Sequence, residues 1–293
     1  MGDQVSTKPE IDSVTGVETT GHEWDGIKEL NKPLPRWWVW TFYATIVWSI
    51  GYWIVYPAWP TLNGYTQGIW GYSQRASVAS EVKAAQAAQA GMRDQLAKTA
   101  LEDVRKNPEM LRFAVAGGNA AFQTNCAPCH GRGAQGFPGY PNLNDDDWIW
   151  GGGIEDIHKT ILGGIRSGHK EARDTQMPKF GVDKLLEPAQ INDTAEFVLS
   201  LSNKSTDAAA TGRGAPIYKE QCASCHGEAG KGMAEQGAPN LTDGIWLYGG
   251  DKNSVVESIS TGRGGVMPAW AGRLDAVTLK SLAVYVHSLG GGK

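Results

Sequence analysis

One stretch of the chain breaks the mixed polar and apolar pattern of the rest. Trp37 to Tyr56 reads WWVWTFYATIVWSIGYWIVY, 20 residues without a charge, about the length a helix needs to cross a hydrocarbon core. Trp37, Trp38 and Trp40 crowd its entry, and Tyr52, Trp53, Tyr56 and Trp59 its exit, as in the aromatic belts of spanning helices. A buried helix of a soluble core is the alternative, but such helices rarely stay uncharged this long. Lys28, Lys32 and Arg36 precede the segment closely, and the first cation after it is Arg75. The positive-inside rule then predicts a cytoplasmic N-terminus, with everything beyond the segment outside. No small-residue cleavage site follows, so we read an uncleaved anchor.

The flanks read differently. Residues 1–36 are polar, mixed in charge and aperiodic up to Pro33 and Pro35, which predicts a mostly unstructured tail. Residues 61–74 are Gly-rich and uncharged and read as an ordered loop resting on the membrane or a partner. Residues 76–112 are Ala-rich with scattered charges, a composition that favours a spacer helix over a flexible linker. Apolar residues return at helical spacing in Ile191, Ala195, Val198 and Leu201, and again in Leu279, Leu282, Val286 and Leu289. Shorter helices are expected over 113–125 and 215–221, and strands are hardly indicated in this half.

That half is a repeat. Cys126 and Cys222 lie 96 positions apart, as do Phe122 and Tyr218. Pro141-Asn142-Leu143 recurs 98 positions on as Pro239-Asn240-Leu241, and Trp148 recurs as Trp246. Met177-Pro178 recurs 90 positions on as Met267-Pro268. Ordered agreement with small insertions argues for two homologous domains. The resulting division is a tail over 1–36, an anchor over 37–59 and a loop with helical stalk over 60–112. A first domain over 113–202, a linker over 203–213 and a second domain over 214–293 complete it.

Charge adds little. There are 27 Lys and Arg against 31 Asp and Glu, a net charge of −4, and no basic run, so nucleic acid is not an expected partner. Cysteine usage adds much. All four cysteines sit in two CxxCH units, Cys126-Ala127-Pro128-Cys129-His130 and Cys222-Ala223-Ser224-Cys225-His226. Zinc sites want four converging ligands, and a redox dithiol has no use for the histidine. Covalent haem needs all three: two thiols for the vinyl groups and a histidine for the iron. Two copies that use every cysteine predict two covalently bound haem c groups.

Each iron then needs a second axial partner, and a methionine suits electron transfer. Met177 and Met267 are the matched candidates, each followed by a proline that stiffens its segment. Met92 and Met110 read as helix-packing residues, and Met233 sits too close to His226 to reach round the ring. His22, His158, His169 and His287 have no counterparts in the repeat and read as non-ligands. Pro141 and Pro239 are either simple turn residues or carbonyl acceptors for the histidine rings. Arg166 and Arg263 are candidates for the haem propionates, with exposure to solvent as the alternative.

Several strings, GFPGYPNLNDDDWIWGG, MPKFG, APNLTDGIWLYGG and MPAWAGRL, together with the anchor, resemble the di-haem subunit III of cbb3-type cytochrome c oxidases, the FixP/CcoP type. The resemblance covers nearly all of the chain from residue 24. It implies an all-α architecture of one N-terminal transmembrane helix and two tandem class I cytochrome c domains. It implies a single-pass protein of the bacterial inner membrane with periplasmic haem domains, seated in membrane lipid. Electrons would enter from a periplasmic cytochrome c or a bc complex and leave to a mono-haem cytochrome c subunit and a haem-copper catalytic subunit that reduces oxygen and pumps protons. The chain itself would be an electron-transfer subunit, not an enzyme. The alternative is a di-haem subunit of another periplasmic dehydrogenase or bc-type complex. A di-haem peroxidase is disfavoured by the two Met-Pro segments. In the family each methionine has been assigned both to its own domain's haem and to the other's; local folding favours its own.

Overall fold

A computed structural model describes residues 8–290 of the chain. It divides into two compact units, Met1–Ala87 and Ala88–Lys293.

The first unit opens with a hairpin in the tail expected to be unstructured. Strands β1 (Thr19–Trp24) and β2 (Ile27–Leu30) pair antiparallel, with Trp24 opposite Ile27. Asp25 and Gly26 form the turn, both with positive φ, 48° and 84°. That is the geometry an Asp-Gly pair supplies to a tight hairpin. Helix α1 (Arg36–Val55) follows and buries none of its side chains. It is the one helix among the described residues long and apolar enough to cross a membrane. Tyr56 ends it in extended backbone, as a residue before proline prefers. Two-residue strands β3 (Pro60–Thr61) and β4 (Gly64–Tyr65) make a small turn. The chain then folds back, and the Ile69 and Trp70 amides donate to the Ile54 and Val55 carbonyls at 3.0 and 3.2 Å. Those carbonyls would otherwise lack partners at the helix end. The Tyr56 ring meets Trp70 and Tyr72 edge-on. Helix α2 (Gln74–Lys98) carries the chain into the second unit.

The second unit is built of helices α3 (Leu101–Val104), α4 (Pro108–Asn125), α5 (Ala127–His130), α6 (Ile154–Gly163) and α7 (Pro188–Ser200). Helices α8 (Ala208–Gln221), α9 (Ala223–His226), α10 (Lys252–Thr261) and α11 (Ala276–His287) complete it. The stalk does not run unbroken into the first repeat. Instead α4 starts afresh at Pro108, with the Asn107 side chain accepting from the Glu109 and Met110 amides at 3.0 and 3.1 Å. A cap followed by proline at the first helical position is a strong start signal. Both opening helices are thus longer than the sequence pattern suggested.

The helices pack across the repeat boundary. The first repeat's α4 lies against α11, the closing helix of the second, while α7 lies against α8. Glycine permits both crossings. A Cβ on Gly118 would stand 2.2 Å from the Ser281 carbonyl oxygen, and one on Gly214 2.1 Å from that of Asp193. Two cores result. One gathers Leu96, Val104, Phe122, Ile154 and Ile161 with Leu282 and Val286 from the chain's end. The other gathers Phe180, Ile191, Ala195 and Val198 with Tyr218, Leu241 and Ile259. Met110 is buried and Met92 packs beside it in the first core, as packing residues should. The second core is therefore one continuous piece of chain, and the first is completed only when α11 returns to it.

Candidate haem sites

Each CxxCH unit forms one helical turn directly after its opening helix. The Cys126 amide donates to the Phe122 carbonyl, and the His130 amide to that of Cys126 at 2.9 Å. The second copy repeats this with Tyr218, Cys222 and His226. One turn brings both thiols and the imidazole to the same side of the chain. All four cysteines are free thiols. Burial, with a smaller contribution from the neighbouring cysteine, pushes Cys126 and Cys222 up to about 11. Among the described residues no three His, Cys, Asp or Glu side chains converge on a point, so the two pairs do not assemble a zinc site.

The histidines are fixed from behind. His130 Nδ1 donates to the Pro141 carbonyl at 3.1 Å, and His226 Nδ1 to that of Pro239 at 3.1 Å. A carbonyl only accepts, so Nδ1 carries the proton and Nε2 presents its lone pair. Burial lowers the pKa of both rings, against an opposing effect of these bonds. They are held neutral, as a ligand to iron must be. Of the two readings of Pro141 and Pro239, the carbonyl acceptor is the one the structure adopts.

The methionines cross over. Met267 packs against the first core, as Cys126, Leu143 and Trp148 also do. Met177 packs against the second, the core that contains Cys222 and Leu241 and that Trp246 also covers. Backbone bonds hold each segment there. Ile165 and Met267 exchange amide-to-carbonyl bonds at 2.9 and 3.0 Å, and the Trp270 amide donates to the Ile161 carbonyl. In the other core the Phe180 amide donates to the Ile259 carbonyl and the Gly181 amide to that of Ser260. Local folding favours the opposite placement, each Met-Pro segment in its own repeat. The difference follows from the helix crossings, because each Met-Pro segment leads directly into the closing helix that packs in the other half.

The donor set fits covalent haem in both halves. An orphaned polar group supports the fit: Trp246 Nε1 is buried without a hydrogen-bond partner, a donor suited to a carboxylate-bearing group seated in that core. The arginines named from sequence bond to backbone carbonyls and neighbouring side chains. Arg166 Nε donates to the Gly265 carbonyl at 2.8 Å, and Arg263 is bound to Ser258 and to the Ser254 and Tyr248 carbonyls. The true counterpart of Arg263 is Arg173, which shares its 90-position offset and had been passed over. Each lies over an aromatic ring, Arg173 at 5.6 Å from Trp150 and Arg263 at 4.9 Å from Tyr248. His169 Nδ1 only accepts a bond from the Glu171 amide within its own turn.

Three family models match the chain. The N-terminal domain of cytochrome oxidase-cbb3, FixP, matches residues 16–63, cytochrome c matches 115–202, and cytochrome c oxidase, cbb3-type, subunit III, matches 209–286. Curated relatives match end to end. The cbb3-type cytochrome c oxidase subunit FixP of Bradyrhizobium sp. (strain ORS 278) is 58% identical over 97% of this chain and 98% of its own. FixP of Azorhizobium caulinodans is 54% identical over 97% and 96%. Subunit CcoP of Cereibacter sphaeroides is 52% identical over 99% and 100%. With two cytochrome c domains and full-length likeness to these subunits, the chain belongs to the FixP/CcoP family of cbb3-type cytochrome c oxidase subunits, and it carries electrons within that oxidase.

Proposed function

We propose that the chain binds two haem c groups and passes electrons through them from a periplasmic cytochrome c or bc complex toward the oxidase's mono-haem and haem-copper subunits. The observation that carries this is the pair of matched His–Pro bonds, which leave an imidazole Nε2 beside two free thiols in each half. Cys126 and Cys129 hold one group, and Cys222 and Cys225 the other. His130 and Met267 would hold the iron of the first, and His226 and Met177 that of the second. The packing of each methionine supports this crossed pairing. A bound haem iron supplies one-electron chemistry. The protein's part is to keep the imidazoles neutral and oriented, to present a soft thioether on the other side, and to exclude water with Phe122, Leu282, Tyr218 and Leu241. A thioether ligand suits electron transfer, whereas an open site suits binding or catalysis. The chain therefore has no catalytic centre of its own, and oxygen reduction belongs to a partner.

Helix α1, which buries none of its side chains and is closely flanked by cations only on its N-terminal side, would span the inner membrane with the haem domains in the periplasm. Purification in mild detergent followed by haem staining and intact mass tests the proposal. It predicts two haems per chain and an oxygen-consuming, copper-containing partner. A complex without that partner would leave a dehydrogenase or bc-type assembly in its place.

A further inference from the structure

Pro141 and Pro239 orient the axial histidines, and each follows a tight turn tipped by glycine. In the first repeat the Phe137 and Tyr140 amides exchange bonds with each other's carbonyls, and Gly139 lies two residues before Pro141. In the second, Met233 and Ala238 do the same around a short 3-10 turn, and Gly237 lies two residues before Pro239. Neither turn is braced only by its own repeat. Gly237 packs against the Trp150 ring of the first repeat so closely that a Cβ there would stand 2.1 Å from it. Gly139 donates its amide to the Leu247 carbonyl of the second repeat at 2.8 Å, and a Cβ on it would meet the Tyr248 ring at 3.4 Å. Trp150 and Tyr248 are counterparts, 98 positions apart. Arg173 lies over the Trp150 ring and is anchored to Asp156 at 3.0 Å. Arg263 lies over the Tyr248 ring and donates to its carbonyl.

We propose that Trp150 and Tyr248 are reciprocal positioning residues: each braces the turn that carries the histidine acceptor of the opposite repeat. Trp150 holds Pro239 in place for His226, and Tyr248 holds Pro141 in place for His130. The inference rests on the proposed two-haem reading and adds a coupling to it. The properties of one haem depend on a side chain of the other repeat. The physical link is the imidazole's outer hydrogen bond, which raises its basicity toward the metal. Loosening the turn weakens that bond and makes the imidazole a poorer donor. The ferric state is then less stabilised and the reduction potential rises.

The test uses the full chain, purified with its haems, and spectroelectrochemical titration of each haem. Backgrounds lacking the other haem through Cys126→Ala/Cys129→Ala or Cys222→Ala/Cys225→Ala assign the potentials. Trp150→Ala is expected to raise the ferrous-to-ferric ratio of the His226 haem about tenfold at a fixed potential, or ~59 mV for one electron, and to leave the His130 haem unchanged. Tyr248→Ala should do the reverse. Trp150→Phe, which keeps an aromatic face, should restore most of the parent potential, and Gly237→Ala should reproduce the shift with the tryptophan intact. Amide hydrogen exchange over residues 232–240 should quicken in Trp150→Ala. A shift confined to the haem of the mutated repeat, equal shifts in both haems, or no shift would overturn the proposal. If the unmodified chain fails to show two one-electron haems, the underlying two-haem reading fails instead.

Discussion

Glu196 offers the sharpest stability test in the second core. Its side chain is only 1% exposed, yet it is charged. Ser205 Oγ donates to Oε2 at 2.7 Å and the Thr206 amide at 3.1 Å, while Lys252 Nζ stands 2.9 Å from Oε1. These partners tie α7 to the turn before α8 and to α10. The Lys252 and Ser205 contacts lead in lowering its pKa from 4.5 to about 2, against the cost of burial. The folded carboxyl stays charged to about 2, while an unfolded one takes up a proton near 4.5. The unfolded state therefore binds more protons in that window, and stability falls as pH drops through it. The full difference corresponds to at most ~3 kcal/mol. Lys252 is 46% exposed, and solvent screening of its charge reduces the expected contribution to about 1–2 kcal/mol. Glu196→Gln retains the shape and one acceptor oxygen but loses the charge and the second acceptor. It should cost that amount at pH 7 and nothing below pH ~2. Denaturant unfolding of the haem-loaded chain, repeated from neutral pH into the acid range, measures it. Equal stability of variant and parent at pH 7, or a constant gap at all pH values, would refute the reasoning.

Other outcomes follow from single contacts. Gly118→Ala must part α4 from α11, because its Cβ would stand 2.2 Å from the Ser281 carbonyl, at a cost of about 1–3 kcal/mol and with a lowered melting temperature. An unchanged melt would show that the crossing is not close in solution. Asp147 is pushed up to about 6, first by burial and then by Asp243 and Asp145. Its charge is thus a burden above that pH and is relieved as pH falls toward 3.8. Asp147→Asn should stabilise the chain at pH 7 by less than ~1 kcal/mol and flatten the pH dependence of stability over that window, as thermal melts at several pH values would show.

The repeat, the CxxCH units and the matched Met-Pro segments were legible because their chemistry is local. A haem's vinyl groups and iron dictate the spacing of Cys126, Cys129 and His130, whatever the rest of the chain does. The long apolar helix was legible for the same reason, since α1 needs only its own length and apolarity. The crossed packing was not. The periodicity of Ile191 or Leu282 predicts a helix with an apolar face but is silent on which face it meets. The clue lay in Gly118 and Gly214, whose missing side chains mark close approaches that a pattern of apolar residues does not display. The hairpin at Asp25-Gly26 carried a turn signal that overall polarity masked. Arg173 was overlooked because the inserted residues in the first repeat obscured its alignment with Arg263.

The proposed crossed ligation of the two haems is open to a single spectrum. In a chain limited to the first haem by Cys222→Ala/Cys225→Ala, the near-infrared sulfur-to-iron charge-transfer band reports methionine on the ferric iron. With crossed ligation the band survives Met177→Ala and vanishes in Met267→Ala. Loss of the band in Met177→Ala with its survival in Met267→Ala would contradict it and place each methionine in its own repeat.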